Sequence, residues 1–345
     1  MRFGSTPYIA SRAKSRRKAL ADRARLRQLI NHAPDQLTVA VADLGYRAEI
    51  DRYAATYDGG DLIEAALTDN LEHELDNIIK LCSGKVARIV SVYTDRFEYH
   101  NAKAVLRAVV NDVDLERVAH DILPDINDIN TPWLQIIERA DDLRSAVVLM
   151  RRKPFGSALN AMPEGSTLAA YEDVLDRHYF ANATSSLSGS QADVRMLRAL
   201  LATEIDHRNI VNLLEAAAMG LEGNEVASAL IPGGRLIPKR AFSLVSNGGR
   251  ASLLEVLRPA NRFDMAAFEA AIAEADAAMS LDPVITWLAA RENAHLNRMS
   301  YLHPVSALPV VHYIAMKVKE VKDLRIITRG LMAGLSADVV EAHVI

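Results

Sequence analysis

One pattern constrains this chain more than any other: an apolar helical run carrying two polar residues three positions apart, met three times. The stretch Glu204–Leu214 carries Asp206 and Asn209, Phe97–Arg107 carries Glu98 and Asn101, and Lys319–Ile327 carries Glu320 and Asp323. On a helix this spacing stacks the two side chains on one face. Asp and Asn are indifferent helix formers because their side chains compete for nearby backbone groups. A helix that keeps both in mid-run therefore has a tertiary reason, such as a buried polar contact to a neighbouring element. The three pairs are separated by similar offsets, each the size of a small domain, and self-similarity of this kind fixes architecture. The chain is expected to contain three like units, residues 1–112, 113–222 and 223–345.

Half of the 345 residues are hydrophobic and only 6% aromatic. Runs of alternating β-branched residues between turn dipeptides are nearly absent, so an all-α fold is expected. Lys+Arg number 40 against 44 Asp+Glu, for a net charge of -4, which gives no global field toward nucleic acid. The single cysteine, Cys82, cannot form an internal disulfide and fits a reducing compartment; with no cation or helix start beside it, it reads as a packed thiol. No run of about 18 apolar residues offers a membrane span, and the N-terminus has no apolar signal core, so a cytosolic protein is expected.

The spacing predicts a basic helix over Tyr8–His32, bearing Arg12, Lys14, Arg16, Arg17, Lys18, Arg23, Arg25 and Arg27. Such a helix can meet nucleic acid or an anionic surface, or simply lay its long side chains over the fold. Further helices are predicted over 35–57 and 62–81, the latter closed by Ser83-Gly84, and then through Glu98 to about Val110. A loop over 125–130, helices over 133–151 and 168–179, and a break at 185–190 follow. The helix of Asp206 and Asn209 ends at Gly220–Gly223. Later helices start at Lys239 and span 264–279, 283–297 and 310–331.

Ile231-Pro-Gly-Gly-Arg-Leu-Ile-Pro238 is the sharpest punctuation, two glycines (Gly233, Gly234) between two prolines forcing a stiff-sided turn. A phosphate-cradling loop is its rival, without the spacing of a P-loop around it. Two Glu-x-x-His pairs, Glu204/His207 and Glu292/His295, are the elements of a ferritin-like di-metal site, although their different places within the repeats put them in different bundles. His73-Glu74 lacks the second histidine of a zincin, and no nucleophile elbow is present. A nucleic-acid binder would rest on the basic first helix alone.

The ordered set Glu98-x-x-Asn101, Asp206-x-x-Asn209, Pro232-Gly-Gly-Arg-Leu236 and Glu320-Val-Lys-Asp-Leu-Arg325-Ile-Ile resembles the C subunit family of archaeal and bacterial A/V-type ATP synthases, related to the eukaryotic V-ATPase d subunit. The family pattern near the C-terminus is Glu-x-x-Asn-Leu-Arg-x-Ile, and Asp323 stands where Asn is usual. The resemblance implies a pseudo-threefold funnel of three helical bundles without a catalytic site or cofactor. It also implies a peripheral place on the cytoplasmic face of the cell membrane, joining the membrane rotor ring to the central stalk and passing torque between them. In such a ring of bundles, buried polar residues such as Asp206 and Asn209 are expected to set the register between neighbours.

Overall fold

The structure is a computed structural model and describes residues 4–124, 132–261 and 263–344. Among the described residues every regular element is a helix, and none is long and apolar enough to cross a membrane. The chain gathers into two compact units, Met1–Asp141 with Met299–Ile345, and Asp142–Arg298. The loop expected over 125–130 lies outside the described residues.

The first unit opens with α1 (Thr6–Ala19) and α2 (Arg23–Ile30), so the single basic helix expected over Tyr8–His32 is two helices. Leu20 is extended, the Ala21 N–H donates to the side chain of Glu320 at 2.6 Å, and Asp22 caps α2 by accepting from Arg25 N. A tertiary acceptor has overridden local helical preference. The helix expected over 35–57 is likewise divided into α3 (Leu37–Val41) and α4 (Arg47–Tyr53) by a wide turn with Gly45 at φ 112°. Then come α5 (Gly59–Lys80), α6 (Gly84–Thr94), α7 (Arg96–Asn111), α8 (Leu115–Asp121) and α9 (Trp133–Arg139). Gly84, expected to close α5, opens α6 instead.

The second unit holds α10 (Leu143–Leu149), α11 (Gly156–Asn160), α12 (Leu168–Ser186), α13 (Ala192–Ala218), α14 (Asn224–Ala229), α15 (Phe242–Leu257), α16 (Met265–Ala278) and α17 (Asp282–Leu302), whose last residues belong to the first unit. The expected helix over 133–151 is interrupted between α9 and α10, where Asp142 and Ser145 form a capping box. Its central helix is α13, which packs on α12, α14 and α15. Ile210, Leu213 and Leu214 of α13 join Val245 and Leu253 of α15, Phe268 and Ile272 of α16, and Val284 and Leu288 of α17 in one core. Each such side chain contributes about 1.5–3 kcal/mol when removed from water.

The chain returns to the first unit with α18 (Leu308–Met332) and α19 (Ala337–His343). α18 is that unit's inner helix, packed on α1 and α5 and touching α2, α6 and α19. Its faces are buried almost throughout, so its polar residues Lys317, Glu320, Asp323 and Arg325 are inside. The contact with α1 is close because α1 buries small residues there, Ala10 and Ala13 beside Ile9.

Candidate functional site

The recurrent pair is best seen on α13. Asn209 is fully buried; its Oδ1 accepts from Ile231 N at 2.7 Å and its Nδ2 donates to Ile231 O at 2.8 Å. One side-chain amide thus satisfies both backbone groups of the residue before Pro232, as a neighbouring strand would. Asp206, one turn earlier, accepts from Arg235 N at 2.8 Å, Leu236 N at 3.0 Å and Ile237 N at 3.1 Å. The two side chains do not bond each other; they hold successive parts of the same loop. Burial pushes the Asp206 carboxyl above its usual range, against the downward pull of those N–H groups.

Both glycines of the loop follow from this clamp. Gly233 adopts φ +119°, and a Cβ on Gly234 would lie 2.1 Å from Asp206 Oδ1. Three converging N–H groups are what a phosphate-cradling loop presents, but here they converge on an internal carboxylate, and the phosphate alternative falls. Gly234→Ala is expected to lower stability by about 2–3 kcal/mol, through overpacking and lost hydrogen bonds, as measured by urea unfolding.

The same construction stands in the first unit. Asn101 on α7 accepts from Leu123 N at 2.8 Å and donates to Leu123 O at 2.9 Å, again 22 residues ahead and again just before a proline, Pro124. Glu98 is partnered as well. The helix ends also recur. Eleven residues beyond Asn101, Asn209 and Asp323 stand Asp112, Gly220 and Gly334, at φ 49°, 67° and 76°. The next N–H then closes back in each copy: Val113 N to Ala108 O (3.0 Å), Leu221 N to Ala216 O (2.9 Å) and Leu335 N to Gly330 O (2.9 Å). This is the Schellman closure, followed each time by a short helix, α8, α14 or α19.

The third pair departs from the other two. Glu320 accepts from Ala21 N (2.6 Å), from the Tyr46 hydroxyl (2.8 Å) and from Lys317 Nζ (2.9 Å), and Lys317 also donates to the Tyr46 hydroxyl at 2.8 Å. Glu320 and Lys317 are each 4% exposed, so this is a buried ion pair with every neighbour engaged. Burial and the Glu320 carboxylate together hold the Tyr46 phenol well above its ordinary pKa. Asp323, where the resembling family has Asn, accepts from Lys319 at 2.5 Å, so the added charge is met locally. Arg325 lies 3.0 Å from Glu64 and donates to Thr68 at 2.8 Å, while Arg329 bridges Glu64 and Asp121. Tyr46, Ala21 and Glu64 were invisible as partners in the sequence. Lys317, three residues before Glu320 on an apolar helix, carried a readable signal.

The two Glu-x-x-His pairs lie closer together than expected. His207 Nδ1 is 2.6 Å from Glu292 Oε1, and Arg291 Nη1 is 2.8 Å from His207 Nε2. Both ring nitrogens are therefore engaged, one of them by a guanidinium, so the ring presents no lone pair to a metal. Among the described residues no group of three His, Cys, Asp or Glu side chains is placed to hold a metal ion. Cys82 is half-buried rather than buried; burial raises its thiol to about 11, and the thiol donates to Ile78 O.

Several cations of α1 and α2 are paired within the first unit. Arg16 pairs with Glu74 at 3.1 Å, Arg27 with Glu341 at 2.6 Å, and Arg17 donates to His312 Nδ1 and to Ser300 Oγ. Burial and the adjacent Arg17 lower His312 to about 4. The fold holds this imidazole neutral while the unfolded chain takes up a proton near 6.5, so stability is lost as pH falls from 6.5 toward 4, by about 3 kcal/mol at most. His100, His120, His178 and His295 are lowered by burial in the same sense, and raised Asp206 and Asp323 oppose it. His312→Gln is expected to flatten the stability profile between pH 6.5 and 4, read by thermal unfolding across that range.

These features define a class: an all-α protein whose buried polar side chains are committed to holding its own turns and chain crossings. The chain belongs to the ATP synthase (C/AC39) subunit family, whose sequence model matches residues 9–343. It is 29% identical over 345 residues to a Haloquadratum walsbyi protein named as the C subunit of an A-type ATP synthase, covering 97% of each chain. Proteins of the same name from Halorubrum lacusprofundi and Methanococcoides burtonii are 28% and 24% identical, over 98% of this chain and 97% and 93% of theirs.

Proposed function

We propose that this protein is the rotor component that couples the central stalk of an A/V-type ATP synthase to its membrane rotor ring, passing torque between them without catalysing a reaction itself. It sits peripherally on the cytoplasmic face of the membrane, as a funnel of three helical repeats with boundaries near residues 112 and 222. One observation carries this reading beyond the family match: the same helix end, left-handed residue and closing hydrogen bond recur after Asn101, Asn209 and Asp323. An Asn clamp reaching 22 residues ahead accompanies the first two. A chain that repeats one helical unit three times presents three like surfaces, which suits a connector around an axis.

Glu98, Asn101, Asp206, Asn209, Gly233, Gly234, Glu320, Asp323 and Arg325 then serve as internal fasteners. Torque can pass through a protein only as far as its elements resist sliding, and side chains bonded to backbone on both sides resist it. The test is size exclusion of the purified protein mixed with the detergent-solubilised rotor ring and with the central-stalk subunits. Co-migration with the ring that strengthens on adding the stalk is expected. A monomer that ignores both overturns the assignment.

A further inference from the structure

Helix α17 buries Val284 and Leu288, with Trp287 packed beside them, in the core of the second unit. At steps of three and four, the same stripe continues into Arg291, His295 and Arg298. A stripe that turns from apolar to cationic toward one end of its helix calls for anions, yet the nearby carboxylates are already engaged. Asp206 accepts from Arg235, Leu236 and Ile237 N–H groups, and Glu292 is held by His207.

A further cation arrives from the Pro-Gly-Gly loop. The bond from Arg235 N to Asp206 brings this loop onto α13 beside His207, the ring that Arg291 reaches from α17. Arg235 and Arg298 are both exposed, and neither guanidinium has an ion pair among the described residues. The His295 Nε2 atom is buried with no hydrogen-bond partner among the described residues. Arg291, Arg235, His207 and Arg298 all act on His295, and with burial they hold it neutral.

We propose that Arg235 and Arg298, beside His295, form a docking point for an acidic segment of a partner chain. The two exposed guanidiniums take its carboxylates. The two guanidiniums stand on different elements, the Pro-Gly-Gly loop and α17, and suit successive acidic side chains of one segment. That the partner is a subunit of the same complex rests on the function proposed above.

The site is tested with a fluorescein-labelled hexaglutamate peptide, by anisotropy at low salt. The unaltered chain is expected to bind it, and R235A/R298A to bind at least about tenfold more weakly, the loss of one good charge-assisted contact. R12A/R23A, which removes equal charge elsewhere, is expected to bind as the unaltered chain does, with circular dichroism showing that both variants are folded. Equal affinity in R235A/R298A overturns the proposal, as does inorganic phosphate binding more tightly than the peptide. The same variant tested for co-migration separates the two ideas. Loss of stalk binding by R235A/R298A alone supports the docking point, and unchanged stalk binding by that variant removes it from the complex. An unaltered chain that binds the peptide through these arginines but neither stalk nor ring overturns only the rotor reading.

Discussion

Asp206→Ala is expected to lower the unfolding free energy of the second unit by about 3 kcal/mol, the cost of leaving backbone donors without an acceptor after partial relaxation. Asp206 takes the N–H groups of Arg235, Leu236 and Ile237, and Ile237 is fully buried. Water can reach the exposed end of the loop at Arg235, which limits the loss, but not the Ile237 end. Gly233 and Gly234 add their conformational freedom to the loop once the carboxylate is gone. Amide hydrogen exchange at residues 235–237 should accelerate while exchange along α13 changes little. Asp206→Asn, which keeps the shape but turns one acceptor into a donor facing an N–H, should fall between. Unchanged urea unfolding in the alanine variant, with slow exchange retained at 235–237, would mean that the loop holds itself.

Glu320→Ala is the companion result, expected to cost about 3–5 kcal/mol because it strands the buried Lys317 ammonium. Lys317 and Glu320 lie 2.9 Å apart with side chains 5% and 4% exposed, and after the substitution Lys317 keeps only the Tyr46 hydroxyl. The Ala21 N–H loses its acceptor at the same time, so the α1–α2 junction should loosen. Desolvating two charges offsets much of what their attraction provides. The double variant K317M/E320L should therefore recover part of the loss, the buried Tyr46 hydroxyl and the Ala21 N–H still lacking their acceptor. Recovery of folding without recovery of slow exchange at Ala21 would separate the ion pair's part in stability from its part in placing the N-terminal helices. A double variant as unstable as the single one would contradict the reasoning.

Much of this was legible in the sequence, for a physical reason. Asp206 and Asn209 are costly within a helix, so their presence announced partners, and the partners exist. The sequence did not say who the partners were, because Ile231 and the 235–237 backbone offer N–H groups that any residue could offer. Helical periodicity gave α13, α16 and α18 nearly to their ends, since each buries an apolar stripe. It failed where a distant acceptor breaks a helix: at Ala21, whose N–H goes to Glu320, 299 residues away. The left-handed Asp112 does at the end of α7 what Gly220 and Gly334 do after α13 and α18. A glycine there would have marked the shared helix end in the sequence; an aspartate, which tolerates that conformation through its short polar side chain, does not announce it. The cluster of Arg235, His295 and Arg298 was missed because a loop and a helix bring together residues some sixty positions apart.

The proposed coupling is tested most directly by reconstituting the ATP synthase in vesicles with and without this protein, and recording ATP hydrolysis together with ATP-driven ion uptake. With the protein present, both should run. Without it, hydrolysis should persist while uptake is lost, because the stalk then turns without the ring. Ion uptake that continues at full rate in its absence would contradict the account.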